Sequence, residues 1–240
     1  SVSMKKALPI IIILVVLGVA LGGTALLLKS PSATPSAPAS APGVSPTPQT
    51  AVTSSTPSTA QSADEKPFHI RGRADAPVLI EEFGDFQCPP CGQFHPIMTR
   101  IEKEFPTQVR FGFRHFPIRS HRHAVLAAHA AEAAGLQGKF WEMHDLIYDK
   151  QREWSEVPAA RPIFTEYAKQ LGLNTQKFFE DIDGTRASMR LVLDERRAQA
   201  VGVTGTPTVF VNGREIPFET LMSYDALRGV VNAELAKAQQ

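Results

Sequence analysis

The chain has 240 residues, 25 Lys and Arg against 24 Asp and Glu, and a formal net charge of +1. A near-neutral chain with no basic cluster in its later part offers no field to draw in a nucleic acid, which is not expected as a partner. The length allows one large domain or two small ones, and the two cysteines have only each other to pair with.

Ser1 to Ser3 stand ahead of Met4, and Lys5 and Lys6 then precede an almost unbroken apolar run over residues 7–28. A run of about 20 residues is long enough as a helix to cross a bilayer core of roughly 30 Å, and it exceeds the 7–15 residues usual for a signal-peptide core. Residues 1–29 are therefore expected to be a cytoplasmic stub and an uncleaved transmembrane signal-anchor. A buried soluble helix would not carry Pro9 and lack a polar face. A cleaved signal is the competing reading, with Ala37-Pro38-Ala39 a proline-disturbed match to a cleavage site. Lysines before the span and the larger domain after it predict a single-pass protein of the inner or plasma membrane, its N-terminus cytoplasmic and its body periplasmic or extracellular.

Residues 30–66 are Pro, Ser, Ala and Thr with scarcely a bulky apolar side chain, too little to offset the entropy of ordering. They are read as a tether stiffened by proline. Residues 67–240 suffice for one domain with a sizeable core.

That domain opens with an apolar strand pattern over 78–83, which hands over to a helical one. Cys88-Pro89-Pro90-Cys91 sits at the junction. If Cys88 caps the helix running toward Phe105, its sulfur faces the unpaired amides and positive dipole end of the first turn, which favour thiolate over thiol. Cys88 is then the attacking and leaving sulfur. Cys91, inside that turn, is close enough to close a disulfide but shielded from outside partners, and so is the resolving thiol. Pro89 is tolerated because the opening residue of a helix has no intrahelical bond to lose. Pro90 removes a second amide without adding charge, which tempers the stabilisation of the thiolate. A zinc site would want four soft ligands, and only His95 lies near. A structural disulfide closing so short a loop would remove little unfolded-chain entropy. Reversible thiol–disulfide exchange is the expected chemistry, without a cofactor.

A second strand over 109–113 makes a strand–helix–strand unit, hence a parallel pair. Helical patterns follow over 121–134, 139–148, 161–171, a short stretch from an Asn174 N-cap through Ile182, and 185–200. Sheet-forming sequence resumes at 203–211, with Asn212-Gly213 as a hairpin turn into 214–216. The helices over about 119–202 are thus an insertion between two halves of an α/β domain. Pro207 enters the last strand; from spacing alone an edge-strand proline and a cis-proline beside the dithiol stand level. The cis form would turn the backbone of Thr206 toward an incoming extended peptide.

The run from Glu82 to Cys91, Arg114-His115-Phe116-Pro117, Gly138-Lys139-Phe140-Trp141 and Gly205-Thr206-Pro207-Thr208 together resemble the DsbA-like branch of the thioredoxin superfamily, over roughly residue 68 to the C-terminus. The resemblance implies a thioredoxin fold with an inserted helical domain, thiol–disulfide oxidoreductase activity outside the cytoplasm, and Pro207 as the family's cis-proline. Membrane-anchored members are similar in layout. The Pro-Pro pair differs from the histidine-containing pair of the best-known oxidant, so redox poise does not carry over.

Glu82 shares a strand face with Ile80, while Glu81 and Phe83 point the other way. It is either a solvated edge carboxylate or a buried acid that takes the proton of Cys91 when that thiol resolves a mixed disulfide, a role the resemblance also implies. Burial would raise its pKa toward the working range. His121, His123 and His129 are expected to serve as exposed caps or solvent contacts, and Asp85 to form an Asx-type turn. Phe86 and its aromatic companions are expected in the core.

The expected partners are cysteine-containing secreted or envelope proteins and a membrane redox partner that recycles the dithiol; a monomer is expected. Reduction or isomerisation is the alternative direction. A copper-binding thiol protein on Cys88 and Cys91 is the alternative of another class, and it lacks a third ligand.

Overall fold

The computed structural model describes residues 69–239. The expected membrane span over 7–28 and the tether over 30–66 lie outside the described residues, among which no helix is long and apolar enough to cross a membrane.

Alternation along β2 (Val78–Gly84) builds the two faces of the sheet, and the strand is buried on both. β2 pairs in parallel with β3 (Val109–His115), Val78 opposite Val109 and Gly84 opposite His115, and α1 (Pro89–Glu104) connects the two strands. β4 (Thr208–Val211) runs antiparallel on the other side of β2, and β5 (Arg214–Glu215) returns beside it. The turn between them is the expected Asn212-Gly213, both at positive φ, 47° and 80°. β1 (His69–Arg71) pairs antiparallel with β3, so the order is β1-β3-β2-β4-β5.

Between β3 and β4 lie α2 (Ala124–Gly135), α3 (Phe140–Asp149), α4 (Gln151–Trp154), α5 (Arg161–Gln170), α6 (Thr175–Ile182) and α7 (Thr185–Ala200). Asn174 caps α6 as expected, its side chain accepting from the amide of Lys177. After the hairpin come α8 (Phe218–Leu221) and α9 (Tyr224–Ala238). This is a thioredoxin fold with an inserted helical unit.

Two expected boundaries shift. α2 begins at Ala124 rather than at residue 121, and β4 at Thr208 rather than at residue 203, because residues 201–207 turn through Gly202 at φ 77° and a cis Thr206–Pro207 bond. β1, α4, α8 and α9 were not anticipated. β1 and α4 are too short, at three and four residues, to show a period.

One face of the sheet packs Val78, Ile80, Phe111 and Phe113 against Phe94, Met98 and Ile101 of α1 and Leu227 and Val231 of α9. Fully burying side chains of this size contributes about 1.5–3 kcal/mol each. The other face is smaller: Phe83 and Phe210 meet Ala198 of α7 and Val203. There α7 is held by charge, since buried Asp194 accepts from Arg114 at 3.2 Å, from Arg190 at 2.7 Å and from the amide of His115 at 3.0 Å. Arg114 also pairs with Glu81.

Candidate active site

Cys88 is the N-cap of α1, with extended backbone (φ −69°, ψ 120°), and the two prolines occupy the first helical positions. Its carbonyl accepts from the amide of Gly92 at 3.1 Å, which closes the first turn. Cys88 keeps 6% of its surface exposed and Cys91 none, so only the first sulfur is open to an outside partner. Both are free thiols in this structure.

The two sulfurs are driven apart electrically. Cys88 is pulled down to about 6, first by the hydrogen bond from the Cys91 thiol, then by the Thr206 side chain and by the Cys91 amide, against burial and the charge of Asp85. The helix start was expected to supply most of this effect. Its remaining free amide contributes, but the partner thiol contributes more. Cys91 is pushed well above an ordinary thiol, chiefly by burial, then by the hydrogen bond it gives Cys88 and by the charge of Glu82. A depressed Cys88 stabilises the reduced protein above the ordinary thiol range, a gain lost as pH falls through about 6. Alkylation of Cys88 by iodoacetamide should therefore rise with pH through a midpoint near 6. A midpoint at the ordinary thiol value would remove the activated sulfur.

Glu82 lies on the Ile80 face as expected, 2% exposed rather than solvated at an edge. Burial first, then the charge of Cys88, raises it to about 8, while Arg71 opposes. Gly84 makes room for it, because a Cβ there would stand 2.8 Å from Glu82 Oε1 and 2.5 Å from Phe113 Cε2. Facing the dithiol from the opposite loop, the Thr206 carbonyl accepts from the Cys88 thiol at 3.4 Å, and Pro207 follows through the cis bond. The Thr206 hydroxyl is buried without a partner. It is positioned to donate once Cys88 becomes a thiolate.

Asp85 makes the expected Asx turn, accepting from the amide of Gln87 at 2.7 Å. Its other oxygen accepts from the amide of Ile118 at 2.8 Å and lies 2.7 Å from His121 Nδ1. His123 corrects the expectation of solvent contact: it is buried, its amide donates to Gln87 Oε1 at 2.6 Å, and its ring reaches the Val157 carbonyl at 2.7 Å.

Sequence reasoning passed over Gln87 and Gln151. Gln151, on α4 of the insertion, donates to the carbonyls of Phe86 at 2.8 Å and Cys88 at 2.9 Å, while Gln87 donates to the Ser155 carbonyl at 2.7 Å. The inserted helices are thereby fastened to the dithiol loop from both sides. Gln87 stood beside the motif; Gln151, 63 residues beyond Cys88, carried no local signal.

Among the described residues two donor sets have atoms close enough for a metal ion: His69, His115 and Glu132, and His95, His144 and Asp145. In the first, both histidine Nε2 atoms lie 2.7 Å from Glu132 Oε1, a hydrogen-bond distance, and buried His115 Nδ1 has no acceptor to orient its ring as a ligand. In the second, Asp145 is already held by Arg71 at 2.8 Å through both oxygens. Neither set includes a cysteine, and among the described residues no His, Asp or Glu completes a three-ligand set with Cys88 and Cys91.

Comparison with known proteins agrees with this geometry. The thioredoxin family model matches residues 64–233. BdbD from Bacillus subtilis, solved in its oxidised form, superposes with a TM-score of 0.62 at 27% identity, covering 70% of this chain and 92% of that one. Alpha-DsbA1 from Wolbachia pipientis superposes with a TM-score of 0.60 at 19% identity, over 70% and 91%, and shares the fold. The Na(+)/H(+) antiporter NhaA 1 of Salinispora arenicola is 44% identical over 148 residues, which are 61% of this chain but 22% of that protein. A dithiol at the start of α1, a cis-proline facing it, helices inserted between β3 and β4 and the family match together place the chain in the thioredoxin family, with the fold of its DsbA-like members.

Proposed function

We propose that the protein is a thiol–disulfide oxidoreductase that oxidises dithiols in secreted or envelope proteins, acting outside the cytoplasm from a membrane anchor. One observation carries the direction: Cys88 is an easily formed thiolate, pulled to about 6, beside a Cys91 held neutral. At pH 7 such a shift raises the thiolate fraction from about 1% to about 90%, but the softer nucleophile loses roughly 20-fold in intrinsic reactivity, so attack gains only a few-fold. The larger benefit goes to Cys88 as a leaving group. A substrate thiolate attacks Cys88 of the closed disulfide and Cys91 departs, taking a proton from Glu82. The second thiolate of the substrate then attacks the substrate sulfur of the mixed disulfide and displaces Cys88. The substrate is oxidised by two electrons and the protein ends as a dithiol. A membrane redox partner restores the disulfide. Thr206 and Pro207 border the exposed sulfur, where an extended substrate backbone would lie.

Equilibration of the full chain with glutathione, followed by alkylation and mass measurement, tests the direction. An oxidising potential near that of the extracytoplasmic oxidants is expected; a strongly reducing value would convert the proposal to a reductase.

A further inference from the structure

Glu82 must exchange protons with water for the chemistry above, yet its carboxyl is buried and its Oε1 has no hydrogen-bond partner. Two more buried polar atoms nearby share that condition, Tyr148 Oη and His144 Nε2. The Tyr148 and His144 rings lie 5.1 Å apart. Both pack on Phe86, at 4.8 and 5.5 Å, and on Phe113, at 6.2 and 4.7 Å. Phe113 stands opposite Glu82 in the β2–β3 ladder, and its ring edge and Glu82 Oε1 converge above Gly84. Burial, then the charges of Glu82 and Cys91, push the Tyr148 hydroxyl well up, in keeping with that closeness.

The three atoms are chemically matched. His144 faces Asp145 Oδ1 through Nδ1 at 2.8 Å, and burial holds its pKa down to about 3, so the ring is neutral, its proton sits on Nδ1, and Nε2 accepts. A tyrosine hydroxyl both gives and takes, and Glu82 gives or takes with its state. An acceptor, a hydroxyl and a carboxyl are what a buried water needs, which satisfies about three such groups. Tyr148 is also one of the residues that line a groove of about 420 Å³, with Pro89, Gly92, Gln93 and Gln151, while its hydroxyl stays buried. The residue thus belongs both to the buried cluster around Glu82 and to the wall of that groove.

We propose that Tyr148 is a positioning residue that links Glu82 to the groove beside Pro89, its hydroxyl and a water shared with Glu82 Oε1 and His144 Nε2 conducting the proton that Glu82 exchanges with Cys91. The inference rests on the thiol–disulfide reading. When a mixed disulfide is resolved, the Cys91 proton passes to the Glu82 carboxylate and the Cys91 thiolate attacks Cys88. The Cys88–substrate bond breaks and the substrate leaves as a thiolate. Glu82 then returns to carboxylate by releasing its proton through water and Tyr148 to the groove.

The test follows reduced full chain reacting with oxidised glutathione, separating attack by Cys88 from release through Cys91. Tyr148→Phe should leave attack unchanged, slow release about tenfold and enlarge its solvent deuterium isotope effect. Glu82→Gln should also slow release, and adding Tyr148→Phe to it should cost nothing more, because both act on one proton path. If the hydroxyl is merely an unsatisfied buried group, Tyr148→Phe will raise the melting temperature and leave release untouched, which overturns the inference. A wild-type chain that forms no mixed disulfide at all would overturn the thiol–disulfide reading and this inference with it.

Discussion

A Cys91→Ser chain is expected to accumulate covalent complexes with cysteine-containing polypeptides, while Cys88→Ser should form none and lose exchange by about a thousandfold or more. The asymmetry follows from exposure and charge. Cys88 keeps an open edge and is pulled to about 6, so it alone meets an outside sulfur as a thiolate. Cys91 has no exposed surface and is held neutral, so in the proposed exchange its task is to break the bond that Cys88 has made. Without it the mixed disulfide waits for a second thiol. Serine keeps a hydroxyl donor at position 91, so the Cys88 thiolate retains a hydrogen bond there and the complexes should still form readily. Non-reducing electrophoresis with mass identification reads both variants, and complexes trapped by Cys88→Ser instead would exchange the roles of the sulfurs.

The second large effect concerns stability. Asp194→Ala should cost about 3–5 kcal/mol, the usual consequence of removing one partner from a buried ionic network. Asp194 is fully buried and takes hydrogen bonds from Arg114, Arg190 and the amide of His115, so its loss leaves two buried guanidinium groups one carboxylate short and the end of β3 without its acceptor. Asp194→Asn keeps an acceptor for the amide and should lose less. Urea unfolding of both variants separates these contributions. Because this network lies on the α7 face of the sheet, away from the main core that holds both cysteines, the alkylation midpoint of Cys88 should stay near 6. A loss under about 1 kcal/mol would place the network among solvent-screened surface pairs.

Much of the site was legible because its signals are local. The change from period two to a helical period brackets Cys88 to Cys91, and the structure puts Cys88 at the N-cap and both prolines in the first turn. Strand alternation alone placed Glu82 with Ile80 on the core face. Asn174 was readable as a cap and Asp85 as a turn for the same reason: each bonds an amide two or three residues away. His123 misled, because its position at a helix start suggests solvent while its surroundings come from residues 34 and 36 positions distant.

Sequence by itself therefore determined that Cys88 caps the helix and Cys91 lies within its first turn, the strand that precedes them, and the face on which the buried acid stands, since these rest on spacings of one to four residues. Tertiary structure alone decided that Gln151 grips the Cys88 carbonyl, that Tyr148 packs on Phe113 and lines the groove beside Pro89, and that Asp194 binds α7 to the sheet. Each of these joins segments that are dozens of residues apart, and such pairings are chosen by the packing of the whole core, which leaves no periodic mark on the residues it brings together.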